Sequence, residues 1–104
     1  MPDRIAAIEK MLAKSPRDVF LHYSLGMEYF SAGRHAEAAA RFAQCVELAP
    51  NYLAAYVEGA KCLRAAGELE PAREMFRRGL ELATRLADSH SQDYIRQQLE
   101  GLGA

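Results

Sequence analysis

Residues 19–52 read VFLHYSLGMEYFSAGRHAEAAARFAQCVELAPNY, and residues 53–86 read LAAYVEGAKCLRAAGELEPAREMFRRGLELATRL. The second stretch repeats residue types of the first at a spacing of 34 positions. The matching positions are Ala32-Gly33 with Ala66-Gly67, Ala38 with Ala72, Phe42 with Phe76, Glu47-Leu48-Ala49 with Glu81-Leu82-Ala83 and, at the boundary, Pro16 with Pro50. A fixed period of this length is typical of helical-repeat proteins, in which each repeat is one supersecondary unit. We therefore predict two copies of one structural unit.

Each unit has the apolar pattern of two helices joined by a tight turn. Leu21, Leu25 and Tyr29 recur at intervals of four and form one helical stripe. A second stripe follows Gly33 and consists of Ala38, Phe42, Cys45 and Ala49. Gly33 and the equivalent Gly67 stand where the first helix must end, a place that favours a left-handed residue. Few β-branched residues and no Asn-Gly or Asp-Gly hairpin signal occur, so we expect no sheet.

The spacing resembles that of the tetratricopeptide repeat family. The family pattern has a bulky residue, Leu-Gly, an aromatic residue, a turn glycine, an alanine, a second aromatic residue, a small residue and a proline at fixed positions. In the first unit these are His22, Leu25, Gly26, Tyr29, Gly33, Ala38, Phe42, Cys45 and Pro50; the second unit fits with Tyr56, Ala60, Leu63, Gly67, Ala72, Phe76 and Gly79. The second unit departs from the pattern at Gly59, where leucine is expected, and at Thr84, where proline is expected.

The resemblance implies an all-α fold, a right-handed α-α superhelix of stacked helical hairpins. It extends over essentially the whole chain, which we interpret as a single domain, 1–104. Residues 19–52 form repeat 1 and residues 53–86 form repeat 2. Residues 3–14 resemble the second helix of an incomplete repeat, because their apolar side chains share one face. Residues 88–102 are expected to form a capping helix, since a terminal hairpin cannot bury its outer apolar face alone.

Helix boundaries in the second half are predicted from single residues. With no proline at Thr84, the helix that begins near Leu69 is expected to run to about Ala87. The last helix is expected to begin at Ser89, with Gln92 three residues later completing a capping box.

Composition argues against several classes of function. Thirteen Lys and Arg residues oppose fourteen Asp and Glu residues, which gives a formal net charge of −1 and predicts no nucleic-acid partner. No apolar run approaches the ~18 residues of a membrane span, and charges interrupt the first residues too often for a secretion signal. We therefore expect a cytoplasmic protein with no membrane partner. Cys45 and Cys62 lack the spacing of a zinc site or a disulfide framework and are predicted to be free thiols.

No constellation of residues indicates catalysis. His22 occupies the bulky position of the repeat and is predicted to pack between helices, whereas His35 and His90 are predicted to be solvated. Cys45 occupies the small position and is predicted to be a buried, inert thiol, as is Cys62. No phosphate-binding glycine loop or HExxH string is present. We therefore predict that the chain is not an enzyme and has no catalytic residue, no metal and no cofactor.

The resemblance places the binding surface on the concave side of the stack, which the first helix of each hairpin lines. The inward positions of the family are here Phe20, Tyr23, Met27, Phe30 and Ser31, then Ala54, Val57, Lys61, Arg64 and Ala65. The side chains predicted to contact a partner are Phe20, Tyr23, Met27, Phe30, Val57, Lys61 and Arg64. Aromatic and methionine side chains suit such surfaces because they offer a large, adaptable contact area. The cations Lys61 and Arg64 predict a partner segment in which apolar anchors are followed by an acidic group or a chain terminus.

Two functions remain open from the sequence. The first is an adaptor or scaffold that binds a peptide or helix of another protein in the concave groove. The second is a structural subunit that buries its apolar concave or edge surface in a homodimer. Some family members clamp a carboxylate with lysine and asparagine; the corresponding positions here are Tyr23, Ser24, Met27, Val57 and Glu58, so that particular function is not predicted.

Overall fold

Six helices follow one another in the computed structural model, which describes the backbone of residues 2–103 and the side chains from Arg4 to Gly103. They are α1 (Pro2–Lys14), α2 (Val19–Ser31), α3 (His35–Leu48), α4 (Leu53–Ala65), α5 (Leu69–Arg85) and α6 (Ser89–Gly101). Over residues 2–103 no strand occurs, and each helix packs against the next in sequence. The predicted all-α fold is confirmed. The first and last positions of the predicted 1–104 domain lie outside the described residues.

Left-handed glycines end α2 and α4. Gly33 has a φ of +76° and Gly67 a φ of +82°, a conformation that glycine adopts without strain. After the first of these, the Arg34 amide donates a hydrogen bond to the Tyr29 carbonyl at 2.9 Å, and an equivalent bond of 2.8 Å closes the second turn. These bonds satisfy carbonyls at the helix end and turn the chain back, so that α3 packs along α2 and α5 along α4.

Phe42 fills the space where α2, α3 and α4 meet. A Cβ added to Gly26 would lie 2.8–3.0 Å from three atoms of the Phe42 ring, and one added to Gly59 would lie 3.1 Å from the Phe42 Cβ. The Met75 methyl group is 3.6 Å from the same point at position 59. The leucine that the family pattern expects at position 59 would therefore require Phe42 to shift, because its Cβ alone would already lie 3.1 Å from the Phe42 Cβ.

The end of α5 lies close to its predicted place. This helix has 17 residues and ends at Arg85, followed by Ala87, which adopts a left-handed φ of +56° although it is not a glycine. No helix among the described residues has both the length and the hydropathy needed to cross a bilayer.

The predicted cap of α6 is wrong by one residue. Asp88, not Ser89, is the N-cap, and its carboxylate accepts hydrogen bonds from the amide and the hydroxyl of Ser91 at 3.0 and 2.8 Å. An aspartate at this position satisfies an amide that has no partner within the helix, and so it starts the helix.

α6 repeats the pattern of α4 at a spacing of 36 residues instead of 34. Gly103, with a φ of +77°, follows α6 as Gly67 follows α4. Ile95, which is fully buried, takes the place of Gly59. The spacing is longer because α5 continues past the point where Pro50 ends the equivalent helix of repeat 1. α6 therefore occupies the position of the first helix of a third repeat.

Both terminal helices carry an arginine where the inner helices have a small residue. Arg96 of α6 stands in the place of Gly26 and Ala60, and Arg4 of α1 stands in the place of Ala38, a residue that is fully buried. Both arginines are exposed. At these places the inner helices approach closely through a methyl group or a hydrogen atom. Arg4 instead pairs with Glu28 of α2 at 3.0 Å, and Arg96 lies 3.7 Å from Asp93 of its own helix.

Candidate partner-binding surface

Side chains of α2, α4 and α6 meet along one surface, which we name the concave wall. The residues predicted to bind a partner lie on α2 and α4 and form its first two columns. The first column consists of Phe20, Tyr23, Met27 and Phe30, and the second consists of Ala54, Val57, Lys61 and Arg64. At the 36-residue spacing the equivalent positions of α6 are His90, Asp93, Gln97 and Glu100, of which His90 lines a cleft beside α4.

Tyr23 is held by two aromatic neighbours. Its ring stacks on that of Tyr52, with centroids 5.0 Å apart, and meets the Phe42 ring edge-on at 5.4 Å. Aromatic pairs of this kind contribute about 0.5–1.5 kcal/mol beyond the area that they bury. Since Tyr52 is the N-cap residue of α4, the stack joins repeat 1 to the start of repeat 2. Tyr23 is therefore a fixed part of the wall.

The two stacked phenols are neutral hydrogen-bonding groups at physiological pH. Burial raises the pKa of Tyr23 above its ordinary value, and the nearby Glu58 carboxylate raises it further. Burial likewise raises the pKa of Tyr52. Each hydroxyl thus keeps its proton and can both donate and accept a hydrogen bond.

Phe30 and Lys61 meet across the boundary between α2 and α4. The Lys61 ammonium lies 5.8 Å from the centroid of the Phe30 ring, which is within the range of a cation–π contact. The same ammonium is 3.3 Å from a carboxylate oxygen of Glu58, three residues earlier on α4. The structure therefore brings these two predicted site residues together, and Lys61 already has an anionic neighbour.

Arg64 reaches from α4 to α6. Its Nη1 donates a hydrogen bond to Oε1 of Gln98, and its guanidinium lies 5.7 Å from the centroid of the Phe76 ring. An acidic group on a partner would thus have to displace a contact within the chain in order to reach either Arg64 or Lys61. The two cations give little support to the acidic group that the sequence led us to expect.

Phe20 is the most exposed large apolar side chain among the described residues, with 74 % of its surface accessible. Met27 and Val57, by contrast, are half-buried and pack against the core. The apolar part of the concave wall therefore runs along α2, from exposed Phe20 to half-buried Phe30.

A cleft of about 390 Å³ separates the first halves of α4 and α6. Its apolar lining comes from Leu53, Ala54, Val57 and Tyr94, and its polar lining from Glu58, Asp88, His90 and Ser91. The described lining thus contains two carboxylates and no lysine or arginine. The hydrogen bonds from Ser91 lower the pKa of Asp88, so that this carboxylate is ionised at neutral pH.

Sequence reasoning does not assign the α6 side of this surface. The pattern of residues 88–102 predicts a capping helix, and a capping helix is not expected to take part in binding. The missing signal is the spacing of 36 residues, which aligns Tyr94 with Glu58 and places α6 beside α4 on the wall. Tyr52 is also missed, because a residue just before a helix has no predictable side-chain direction.

The histidine and the cysteines of the core are structural. His22 is buried, its Nε2 donates a hydrogen bond to the Pro16 carbonyl at 2.8 Å, and its Nδ1 accepts one from Arg41 at 3.2 Å. Burial raises the pKa of Cys45 and of Cys62 to about 11, so both remain thiols at neutral pH. Among the side chains from Arg4 onward, no three His, Cys, Asp or Glu residues group in a way that would hold a metal ion.

A second cleft, of about 450 Å³, is bordered by α1, α2 and α3. Its polar groups bond to one another: the Tyr29 hydroxyl donates to Glu9 at 2.5 Å, and Arg41 donates to His22. These bonds fasten α1 and α3 to α2, and we interpret this cleft as part of the scaffold.

Sequence comparison agrees with this architecture. The family model of the tetratricopeptide repeat matches residues 29–90. The TPR repeat-containing protein PA0015 of Pseudomonas aeruginosa is 36 % identical over 88 residues, which cover 85 % of this chain and 84 % of the relative. The chain therefore belongs to the tetratricopeptide repeat family.

Solved structures show the same fold. The TPR2B domain of yeast Sti1, in its pHsp70 complex, superposes with a TM-score of 0.85 at 20 % identity and covers 98 % of this chain and 82 % of that one. The first TPR of Spaghetti (RPAP3), bound to the HSP90 peptide SRMEEVD, superposes with a TM-score of 0.72 at 25 % identity and covers 92 % and 77 %. Both likenesses are evidence for a helical-repeat superhelix.

Proposed function

We propose that this chain is a protein-interaction module whose concave wall binds a peptide or helix of another protein. The observation that carries this function is the row of large apolar side chains on α2, which leaves Phe20 74 % exposed. The family is generally non-catalytic, and its members Sti1 and Spaghetti were solved with segments of other proteins. These complexes support a binding function for this chain.

The contacts divide by chemistry. Phe20, Met27 and Val57 offer apolar area, and Tyr23 adds a neutral hydroxyl on a ring that is already immobilised. A fixed aromatic side chain binds at low entropic cost because it loses little freedom on association. Phe30, Lys61 and Arg64 complete the site toward the other end of α2 and α4.

The second candidate is a homodimer that buries the same wall. Exposed Phe20 favours a homodimer as well, because burial of a phenylalanine against any apolar surface is favourable. Light scattering over a dilution series separates the two functions: a monomer at all concentrations supports binding of another protein, whereas a dimer that Phe20→Ser dissociates supports self-association.

We place the module in a reducing compartment such as the cytoplasm, because Cys45 and Cys62 are free. We propose no enzymatic step for it. Its net charge of −1 favours protein partners over nucleic acid.

The binding function is tested with two variants of the wall, Phe20→Ser and Tyr23→Ala, and a matched control, Gln44→Ser, on an exposed position of α3. Proteins captured from lysate by each immobilised variant are identified by mass spectrometry, and circular dichroism checks that each variant is folded. We expect the control to retain the wild-type partners and the two wall variants to lose them. Identical partner sets for all four proteins would show that the wall is not the binding surface.

A further inference from the structure

The concave wall changes in polarity from one helix to the next. The column on α2 consists only of apolar and aromatic side chains, and the column on α4 is mixed. The equivalent positions of α6 are polar; two of the four, Asp93 and Glu100, are exposed carboxylates, and Asp93 lies 3.7 Å from Arg96 of the same helix. A segment that crosses the wall therefore meets apolar side chains on α2 at one end and the two carboxylates of the α4–α6 cleft, Glu58 and Asp88, at the other.

The cations near the α4–α6 cleft have partners within the chain, whereas among the described residues the carboxylate of Asp88 has no lysine or arginine as a partner. Lys61 is paired with Glu58, and Arg64 with Gln98 and the Phe76 ring, so these two cations are engaged. The carboxylate of Asp88 accepts from the amide and the hydroxyl of Ser91, which are neutral donors, and the nearby His90 also lowers the pKa of Asp88. The N-terminus of α6 offsets part of the charge of Asp88. An anionic cleft remains.

Glu58 keeps acceptor capacity after it pairs with Lys61. A carboxylate has about four lone-pair sites, and the ammonium lies 3.3 Å from one of the two oxygens, so sites remain for a further donor. The side chain of Glu58 is 20 % exposed and lies in the lining of the cleft, so an incoming donor reaches it from the open side.

We infer that the bound segment carries a lysine or arginine whose head enters the α4–α6 cleft between Glu58 and Asp88, while its apolar residues lie along α2. This inference rests on the proposed function. The aliphatic stem of either side chain packs against Val57 and Tyr94, and its donors reach the two carboxylates. An acidic side chain in the same place would meet the like charges of Glu58 and Asp88, which is unfavourable.

The probe is a random dodecapeptide library displayed on phage and selected on the wild-type protein. We expect the enriched sequences to carry one Lys or Arg close to large apolar residues. A synthetic copy of an enriched peptide then serves for calorimetric titration of the wild type and of three variants: Asp88→Asn, Glu58→Gln and Lys61→Gln. Asparagine is as good an N-cap as aspartate, so Asp88→Asn removes the charge and keeps the helix start.

Removal of either carboxylate is expected to weaken binding about two- to fivefold, the range of a partly exposed ion pair. Lys61→Gln is expected to tighten binding, because it frees Glu58 from its internal partner. Added salt should weaken binding of the wild type, since the contact is electrostatic.

Different negative results would contradict the basic-segment inference and the proposed binding function. Enriched peptides that are acidic or lack a cation, or whose affinity is unchanged by Asp88→Asn and Glu58→Gln, would overturn the basic-segment inference. If those peptides still lose binding to Phe20→Ser, the proposed function stands. Peptides that bind Phe20→Ser as tightly as the wild type, or a selection without enrichment, would overturn both.

Discussion

The two repeats share a scaffold bond at equivalent positions. In repeat 1 the His22 ring donates to the Pro16 carbonyl at 2.8 Å, and in repeat 2 the Tyr56 hydroxyl donates to the Pro50 carbonyl at 2.8 Å. The donors differ in chemistry, but each fastens the first helix of its repeat to the turn before it. What the fold requires at this position is a buried donor of sufficient length.

On the concave wall the same two repeats have little in common. The equivalent pairs are Phe20 and Ala54, Tyr23 and Val57, Met27 and Lys61, and Phe30 and Arg64. Positions between helices are limited by volume and by buried hydrogen bonds, whereas positions on the wall face no such limit. The comparison separates residues that build the stack from residues that give it a binding preference.

Leucine at the two glycines that surround Phe42 should have the largest effect on this scaffold. Gly26→Leu and Gly59→Leu should each lower the free energy of unfolding by about 1–3 kcal/mol, because a side chain has no room at either position. Urea denaturation measures this. Gly101→Ala is the control, since nothing lies within 4 Å of its Cβ position. Because leucine is the family residue at position 59, a stabilised Gly59→Leu would contradict close packing around Phe42.

Removal of the shared scaffold donor should have a smaller and unequal effect. His22→Phe deletes two hydrogen bonds and should cost about 1–2 kcal/mol, whereas Tyr56→Phe deletes one and should cost about 0.5–1.5 kcal/mol. Thermal unfolding followed by circular dichroism detects the difference, at about 4–8 °C per kcal/mol for a domain of this size. Equal losses would mean that the bond from Arg41 to His22 adds no stability.

The smallest changes in stability are expected at the two left-handed residues that follow α2 and α5. Ala87→Gly should stabilise the protein by about 0.5–1 kcal/mol, because it relieves a left-handed alanine. Gly33→Ala should destabilise it by about 1 kcal/mol, because it creates the same strain in repeat 1. Both are read from the melting temperature. A destabilised Ala87→Gly would show that the alanine methyl group makes a contact that outweighs the strain.

Most of the fold follows from local signals in the sequence. Gly33 and Gly67 mark the turns, and the 34-residue spacing gives the pairing of helices. The first residue of α6 is predicted correctly, but its N-cap is off by one residue because Ser89 and Asp88 are both good capping residues, and the choice depends on where the left-handed turn at Ala87 falls. The 36-residue spacing of the last helix is hidden by the same turn, which contains no glycine or proline.

Fewer of the contacts in the candidate site could be predicted from the sequence. The family pattern places Lys61 on the wall, and its pairing with Glu58 is readable as a contact three residues apart on one helix. The bond from Arg64 to Gln98 joins two helices separated by a third, and no local pattern indicates it. Neither does the sequence show that Tyr52 turns back onto Tyr23.

Arg4 and Arg96 have a consequence for protein engineering. Each stands at a crossing point where the inner helices meet at glycine or alanine, so a tandem fusion of two copies would not form a continuous superhelix at that junction. Replacing Arg96 with glycine and appending a helix with the sequence of α3 would restore the close crossing and lengthen the array by half a repeat. We therefore expect the two arginines to keep the cores of fused units separate.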